Sequence, residues 1–332
     1  MRDEVVLPAD LAGAVRHAEP AVILTEGYVG LEAQALGLAG RAGLAATTRT
    51  LQPVRPWSWL PARLWPRALA AVGGLPDLTD GIVLTAGGTG GAVGAALRRS
   101  QGRRVVQIQN PRMPLDRFDL VVANRHDEID GPNVLLARTA LHRVTPGALA
   151  AARRVWRERL AALPRPLVAV LVGGGNGRYR LGPAEATSLA QLLSGMMRSD
   201  RVGLALTPSR RTTPAVRSVL EQALQPLGGW IWDMQGKNPY LGLLACADMI
   251  VVTADSVSMV SEAVATDVPV MVMPLPGRSR RIGLFLGDLV DAGRIRTFNG
   301  RLEHWAVTPL DDTSAIADEM CRRLALPAPL RP

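Results

Sequence analysis

The residues of this chain best suited to chemistry lie between Ala247 and Pro274, in ADMIVVTADSVSMVSEAVATDVPVMVMP. An apolar run, Met249 to Thr253, leads into a polar turn holding Asp255, Ser256 and Ser258, and a helical pattern follows with Glu262 in its second turn. The first amide N–H groups of a helix have no partner within it and lie at the positive end of its dipole, so such a turn attracts an anion. Serine hydroxyls at that terminus add donors. A carboxylate one turn later is within reach of ribose hydroxyls if a nucleotide lies there. The same residues also suit plain helix capping, because Asp and Ser are preferred caps. Glu262 lies four residues after Ser258, one more than a capping box requires.

Three further groups have matching chemistry. Gly173-Gly174-Gly175-Asn176-Gly177 follows the apolar run Leu167 to Val172 and would let backbone approach a phosphate closely, or form a simple tight turn. Arg210 and Arg211, just past the run Val202 to Leu206, are suited to clamp phosphate oxygens. Glu26, directly after Ala21 to Thr25, is the first candidate for a general base on an acceptor hydroxyl; His126 and Asp127, in Asn-Arg-His-Asp-Glu, are the others. A lone histidine serves a structural hydrogen bond equally well. No Ser-His-Asp spacing and no metal-ligand cluster stands out, so neither a metal nor a prosthetic group is expected.

The single lysine, Lys237, is followed by Asn238, so a Gly-Lys-Ser/Thr phosphate loop is missing. Asp233 stands four residues before it, where a Tyr-x-x-x-Lys redox pair would need tyrosine. These two facts set aside ATPase and short-chain redox chemistry.

The elements that must position these residues are legible as repeated β–α units. Strands are predicted at Ala21–Thr25, Thr47–Leu51, Ile82–Thr85, Val105–Gln109, Leu120–Ala123 and Val134–Ala137. The glycine-rich stretch Ala86–Gly91 reads as a turn ahead of a helix to Arg99. A helix from Pro146 to Leu163 bridges to a second cycle, with strands at Leu167–Val172, Val202–Leu206, Trp230–Trp232, Met249–Thr253 and Val268–Met273. Beyond Met273 one more element is expected, an amphipathic helix from Asp311 to Leu324. Apolar runs alternating with helices imply parallel sheets. The expected fold is therefore α/β, two Rossmann-like doubly wound domains facing a cleft: residues 1–150 on the acceptor side, 151–310 on the donor side, and 311–332 packing back on the first. Ligands in such sheets bind at the carboxyl ends of the strands, where the glycine and hydroxyl turns lie.

A length of 332 residues suits two such domains. The net charge of +9 favours an anionic partner, but the arginines are scattered or paired and no nucleic-acid-binding motif accompanies them, so nucleic acid is not expected. No run is long enough to span a bilayer, and MRDEVVLPADLAG lacks a signal-peptide pattern. Cys246 and Cys321 read as buried reduced thiols of a cytoplasmic protein.

Two Rossmann-like halves, the serine turn with Glu262 and the lack of an Asp-x-Asp metal motif make the chain resemble a GT-B glycosyltransferase. The stretches TEGYVGLEAQALGLA, the segment from Gln107 to Pro146, LVGGGNGRYRL, LTPSRRTTP and WDMQGKNPYLGLLACADMIVVTADSVSMVSEA narrow this. They resemble the mitochondrial-fission ELM family, and the likeness runs from about Val22 to Leu324. What it implies is metal-independent transfer of a sugar from a nucleotide-sugar donor (UDP-, GDP- or similar) to an envelope or lipid-linked acceptor. A sugar-nucleotide-binding scaffold without turnover and a hydrolysing, non-redox sugar-nucleotide epimerase are the alternatives. The family's plant members are linked to mitochondrial division, a role the resemblance does not carry to this chain.

One segment stands outside that scheme. Arg55 to Pro66 puts three tryptophans, Trp57, Trp59 and Trp65, with two arginines in a proline-broken stretch. Tryptophan favours the headgroup region of a bilayer and arginine pairs with anionic lipid, so an anionic membrane surface is an expected partner, with the protein peripheral on the inner face. Ordinary packing of tryptophans in a surface loop is the other reading.

Overall fold

The computed structural model describes residues 18–73, 75 and 81–327; the N-terminal stretch read for a signal segment lies outside them. The first half contains β1 (Pro20–Thr25), α1 (Val29–Arg41), β2 (Ala45–Thr50), the short pair β3 (Gln52–Pro53) and β4 (Val72–Gly73), β5 (Ile82–Ala86), α2 (Gly87–Gln101), β6 (Arg104–Ile108), β7 (Leu120–Asn124) and β8 (Val134–Ala137). Its main sheet has the order β2-β1-β5-β6-β7-β8, every pair parallel.

The second half holds α3 (Pro146–Trp156), β9 (Leu167–Val172), α4 (Pro183–Ser199), β10 (Gly203–Pro208), α5 (Pro214–Leu224), β11 (Trp230–Ile231), α6 (Tyr240–Cys246), β12 (Met249–Thr253), α7 (Val257–Val264), β13 (Val270–Met273), α8 (Arg280–Asp291), β14 (Ile295–Thr297) and α9 (Thr313–Arg323). Its sheet runs β11-β10-β9-β12-β13-β14, again parallel throughout. Counted along this half, that is the order 3-2-1-4-5-6 of a dinucleotide-binding sheet. All six residues of β9, Leu-Val-Ala-Val-Leu-Val, are buried. A strand covered by helices on both faces needs such an unbroken apolar run rather than an alternating one. Leu167, Ala169 and Leu171 join one core layer, and Val168, Val170 and Val172 the other.

Both sheets reverse their strand order once, between β1 and β5 in the first and between β9 and β12 in the second. The crevices at those two points are where the loops after β1, β5, β9 and β12 diverge. They bring together Glu26 with Gly87, and Gly173 with Asp255. After the second sheet the chain returns to the first half, where Ile316, Ala317, Met320 and Cys321 of α9 pack with Ala35, Leu38 and Ala39 of α1.

Several elements differ from the sequence expectation. Gly87–Gly91 is the opening of α2, not a turn before it. Gly90 serves packing: a β-carbon there would lie 3.0 Å from the Leu24 carbonyl oxygen, so its lack of a side chain lets α2 sit close on the sheet. The bridge helix stops at Trp156, and the residues up to Leu163 continue in turns. Helix α8 and strand β14 were not expected, although Ile282, Phe285 and Leu289 are spaced for one helical face and are all buried.

Candidate functional site

In the second-half crevice the carboxylate of Asp255 is the hub. It accepts the amide N–H of Gly174 at 3.0 Å, the hydroxyl of Thr253 at 2.7 Å and the guanidinium of Arg211 at 2.7 Å. Arg211 also donates to the Gly174 carbonyl at 2.8 Å, and Thr253 accepts the Gly173 N–H at 2.8 Å. The side chain of Asp255 is fully buried, so these partners supply what water would otherwise give a charged group. The two glycines make the close approach possible. A β-carbon at Gly173 would meet the Asp255 carboxylate at 2.2 Å, and one at Gly174 would meet the Arg211 carbonyl oxygen at 2.2 Å. Asn176 fastens the rest of the loop, donating to the Asp255 carbonyl oxygen at 2.9 Å and accepting the N–H groups of Arg178 and Tyr179. Gly175 and Arg210 are exposed at the crevice edge. Asp255, Arg211, Gly173, Gly174 and Asn176 thus form one framework around the crevice.

Ser256 caps α7, its hydroxyl accepting the Met259 N–H at 3.4 Å. Ser258 lies in the first turn of α7 and looks across to the other half: a β-carbon at Gly30, in the first turn of α1, would stand 3.4 Å from its hydroxyl oxygen. The N-termini of two helices, one from each half, therefore meet across the cleft and direct their positive dipole ends into it. Glu262 is half-buried on α7 and accepts the phenolic O–H of Tyr240 at 2.5 Å. Burial pushes the Glu262 carboxyl up to about 7, against the opposing pull of that hydrogen bond. Burial, and then the charge of Glu262, raise the Tyr240 phenol well above its ordinary value.

The first-half crevice has a parallel construction. Glu26 leaves the end of β1 and accepts the N–H of Thr89, at the start of α2, at 2.7 Å. Its carboxylate therefore bridges the strand-order reversal as Asp255 does in the other sheet. Two strands along, Gln107 accepts the Thr85 hydroxyl at 2.6 Å, and Gln109 holds a φ of 68°. Left-handed backbone at a non-glycine residue costs energy and recurs at ligand-binding edges.

His126 and Asp127 are placed differently from the expectation that either could act on an acceptor. His126 is buried, with its ring edge-on to Phe285 of α8 at 5.4 Å, and burial lowers its pKa with partial compensation from Asp127. Asp127 caps its own turn at the Asn124 N–H and forms an ion pair with Arg281 of α8, its side chain only 1% exposed. Arg280 adds a pair with Glu128 at 2.6 Å, and the Ser261 hydroxyl accepts the Ala140 N–H at 2.9 Å. These residues join the two halves. Of the three base candidates, only Glu26 stands at a crevice.

Sequence reasoning did not find Tyr240, Arg281 or Ser261. Tyr240 and Glu262 are separated by a helix and a strand, and Arg281 meets Asp127 from the other half, so no local spacing announces either pair. Among the described residues no group of three His, Cys, Asp or Glu side chains is gathered as metal ligands. No helix there is long and apolar enough to cross a membrane.

The fold has solved counterparts. UDP-GlcNAc 2-epimerase from Methanocaldococcus jannaschii overlays with a TM-score of 0.56 at 12% identity, covering 92% of this chain and 99% of that one. UGT71G1 from Medicago truncatula, solved with UDP-glucose, overlays with a TM-score of 0.51 at 12% identity, covering 91% and 90%. At such identities the likeness establishes the architecture, a GT-B-like pair of Rossmann domains. In sequence, mitochondrial fission protein ELM1 of Arabidopsis thaliana is 34% identical over 276 residues, which are 74% of this chain and 64% of that protein. The chain thus matches under two thirds of that relative's length. An uncharacterized protein of Rickettsia prowazekii is 25% identical over 284 residues, 74% of this chain and 80% of that one. The family profile described as mitochondrial fission ELM1 matches residues 29–324, and on that match and the Arabidopsis relative the chain belongs to this family.

Proposed function

We propose that the protein transfers a sugar from a nucleotide-sugar donor to an acceptor hydroxyl, the donor lying against the second half and the acceptor against the first. The observation that carries this reading is the meeting of Ser258 and Gly30, which turns two helix N-termini into the space between two strand-end crevices. A diphosphate there is held by free N–H groups, by the Ser256 and Ser258 hydroxyls and by Arg210, with no metal required. Glu262 accepts from the ribose, exchanging or sharing its bond with Tyr240. Asp255, Arg211, Gly173, Gly174 and Asn176 keep the crevice in shape around the diphosphate, with Gly175 at its edge. Glu26, at the opposite crevice, takes the proton of the attacking hydroxyl as the sugar bond to the diphosphate breaks. UDP sugars are the first ligands to try, because UDP-GlcNAc and UDP-glucose occur in the names of proteins that share the fold.

Thermal stability measured against UDP, GDP, ADP and CMP tests the donor site. A ligand at a hundred times its Kd stabilises by about 2.7 kcal/mol, and Ser258→Ala or Glu262→Ala removes that gain. If none of the four raises the melting temperature, the donor reading fails. Turnover with an acceptor then separates transfer from its alternatives. Release of nucleoside diphosphate only in the presence of acceptor marks transfer, an epimerised sugar marks an epimerase, and binding without product marks a scaffold.

A further inference from the structure

The hairpin between β3 and β4 is built to hold apolar side chains out in water. The antiparallel pairs Gln52↔Gly73 and Pro53↔Val72 close its base. Trp65 is buried, and its indole N–H is shared between the carbonyl oxygens of Trp57 at 3.0 Å and Leu60 at 3.1 Å, which fixes the tip. The tip thus presents Trp59 at 72% exposure, Leu64 at 60% and Leu60 at 46%. Contiguous exposed apolar side chains on an ordered scaffold mark a binding surface rather than a packing accident. The three tryptophans therefore divide: Trp65 is the anchor, Trp57 is half-buried, and Trp59 is the one left free to insert.

The charges around the tip select the partner. Arg55, Arg63 and Arg67 are all exposed, and no acidic residue occurs between Gln52 and Gly73. The Arg55 guanidinium lies over the Trp59 ring at 5.7 Å. The basic surface continues into the groove beside α2, about 460 Å³ in volume, lined by Arg63, Arg99 and Arg117, by Arg98, which Asp119 pairs at 2.9 Å, and by Asp116 as its single acidic lining residue. Tryptophan, leucine and uncompensated arginine together match the headgroup boundary of an anionic bilayer. The hairpin also leaves the sheet at the functional end. β2 runs parallel to β1 with Thr50 opposite Thr25, so the chain enters the hairpin beside Glu26.

We infer that this hairpin docks the protein on anionic lipid, Trp59, Leu60 and Leu64 entering the headgroup region while Arg55, Arg63 and Arg67 pair with lipid phosphates. Resting on the proposed transfer reading, this also assigns the acceptor class: a polar headgroup anchored in that membrane, presented to the crevice at Glu26. The docking itself needs only the hairpin.

Flotation of the whole protein with vesicles tests the inference. Mixed phosphatidylcholine–phosphatidylglycerol vesicles should carry the protein, and pure phosphatidylcholine should carry at least about tenfold less. The double variant Trp59→Ala, Leu64→Ala should lower binding to the mixed vesicles at least about tenfold, and Arg63→Glu, Arg67→Glu should lower it further at low salt than at high salt. All four positions are exposed, so the melting temperature and any nucleotide-dependent stabilisation should stay as in the wild type. Equal flotation of wild type and variants overturns the inference. So does a dimer in sedimentation that the Trp59 and Leu64 changes dissociate while vesicles are ignored, because the tip would then cover a second copy. Vesicle binding without nucleotide stabilisation would sink the transfer reading and keep the docking; the reverse outcome would do the opposite.

Discussion

Tyr240 donates its phenolic proton to Glu262 across 2.5 Å and so ties α6 to α7, the helices that precede and follow β12. The relationship sets a pH dependence. Burial raises the Glu262 carboxyl from an ordinary 4.5 to about 7. Between those values the folded chain keeps a proton that the unfolded chain has lost, so stability falls as pH rises through that window and levels off above it. Glu262→Gln removes the ionisation. Relative to wild type it should change little below the window and gain roughly 3 kcal/mol above it. Urea unfolding on the two sides of the window measures this; an equal effect at both would show that Glu262 titrates normally.

The Asp255 hub should be among the least tolerant positions. Asp255→Ala leaves the Gly174 N–H, the Thr253 hydroxyl and the Arg211 guanidinium short of their acceptor, at a cost of about 3–5 kcal/mol. Gly174→Ala brings a methyl against the Arg211 carbonyl and should cost about 1–3 kcal/mol. Arg210→Ala, at an exposed side chain, should stay within about 0.5 kcal/mol while weakening nucleotide stabilisation. Equilibrium denaturation with and without UDP separates the two kinds of effect.

The contrast between Asp255 and the serines shows what a sequence reveals of such a site. Strand, turn and helix at Met249–Val264 were legible because an apolar run followed by small polar residues has few other solutions. The parallel sheets were legible from the continuous apolar strands. What side chains touch in the turns was not. Asp255 and Arg211 lie in different loops, and only the strand order β10-β9-β12 makes those loops neighbours. The glycines show the same limit: a carboxylate or a backbone comes close to Gly173, Gly174 and Gly90, which spacing alone does not disclose. Helix α8 was missed although its period was present, because two internal glycines, Gly283 and Gly287, weaken the pattern.

The junction between the halves rests on pairs of unequal weight. Arg281→Ala strands the Asp127 carboxylate at 1% exposure and should cost about 3–5 kcal/mol. Arg280→Ala breaks a pair whose members are 76% and 48% exposed, and should cost about 0.5 kcal/mol or less. Calorimetry should show the first change loosening the junction, with the two halves unfolding less cooperatively, and the second leaving a wild-type trace. Similar traces for both would mean that Asp127 is hydrated in solution.

Glu26 is where structure and proposed chemistry can be pulled apart. Its carboxylate holds the Thr89 N–H at the start of α2, a contact that a glutamine carbonyl can also accept. Glu26→Gln should therefore keep the fold, the melting temperature and the nucleotide-dependent stabilisation. It should lower turnover by about 10²–10⁴, because an amide accepts a hydrogen bond but does not take up the acceptor proton. Glu26→Ala should lose the same activity and about 1 kcal/mol of stability as well, since the N-terminus of α2 loses its acceptor. A glutamine variant with wild-type turnover would make Glu26 a helix cap alone. As His126 and Asp127 are enclosed between the halves, the proton would then have to leave through the sugar donor itself or through solvent.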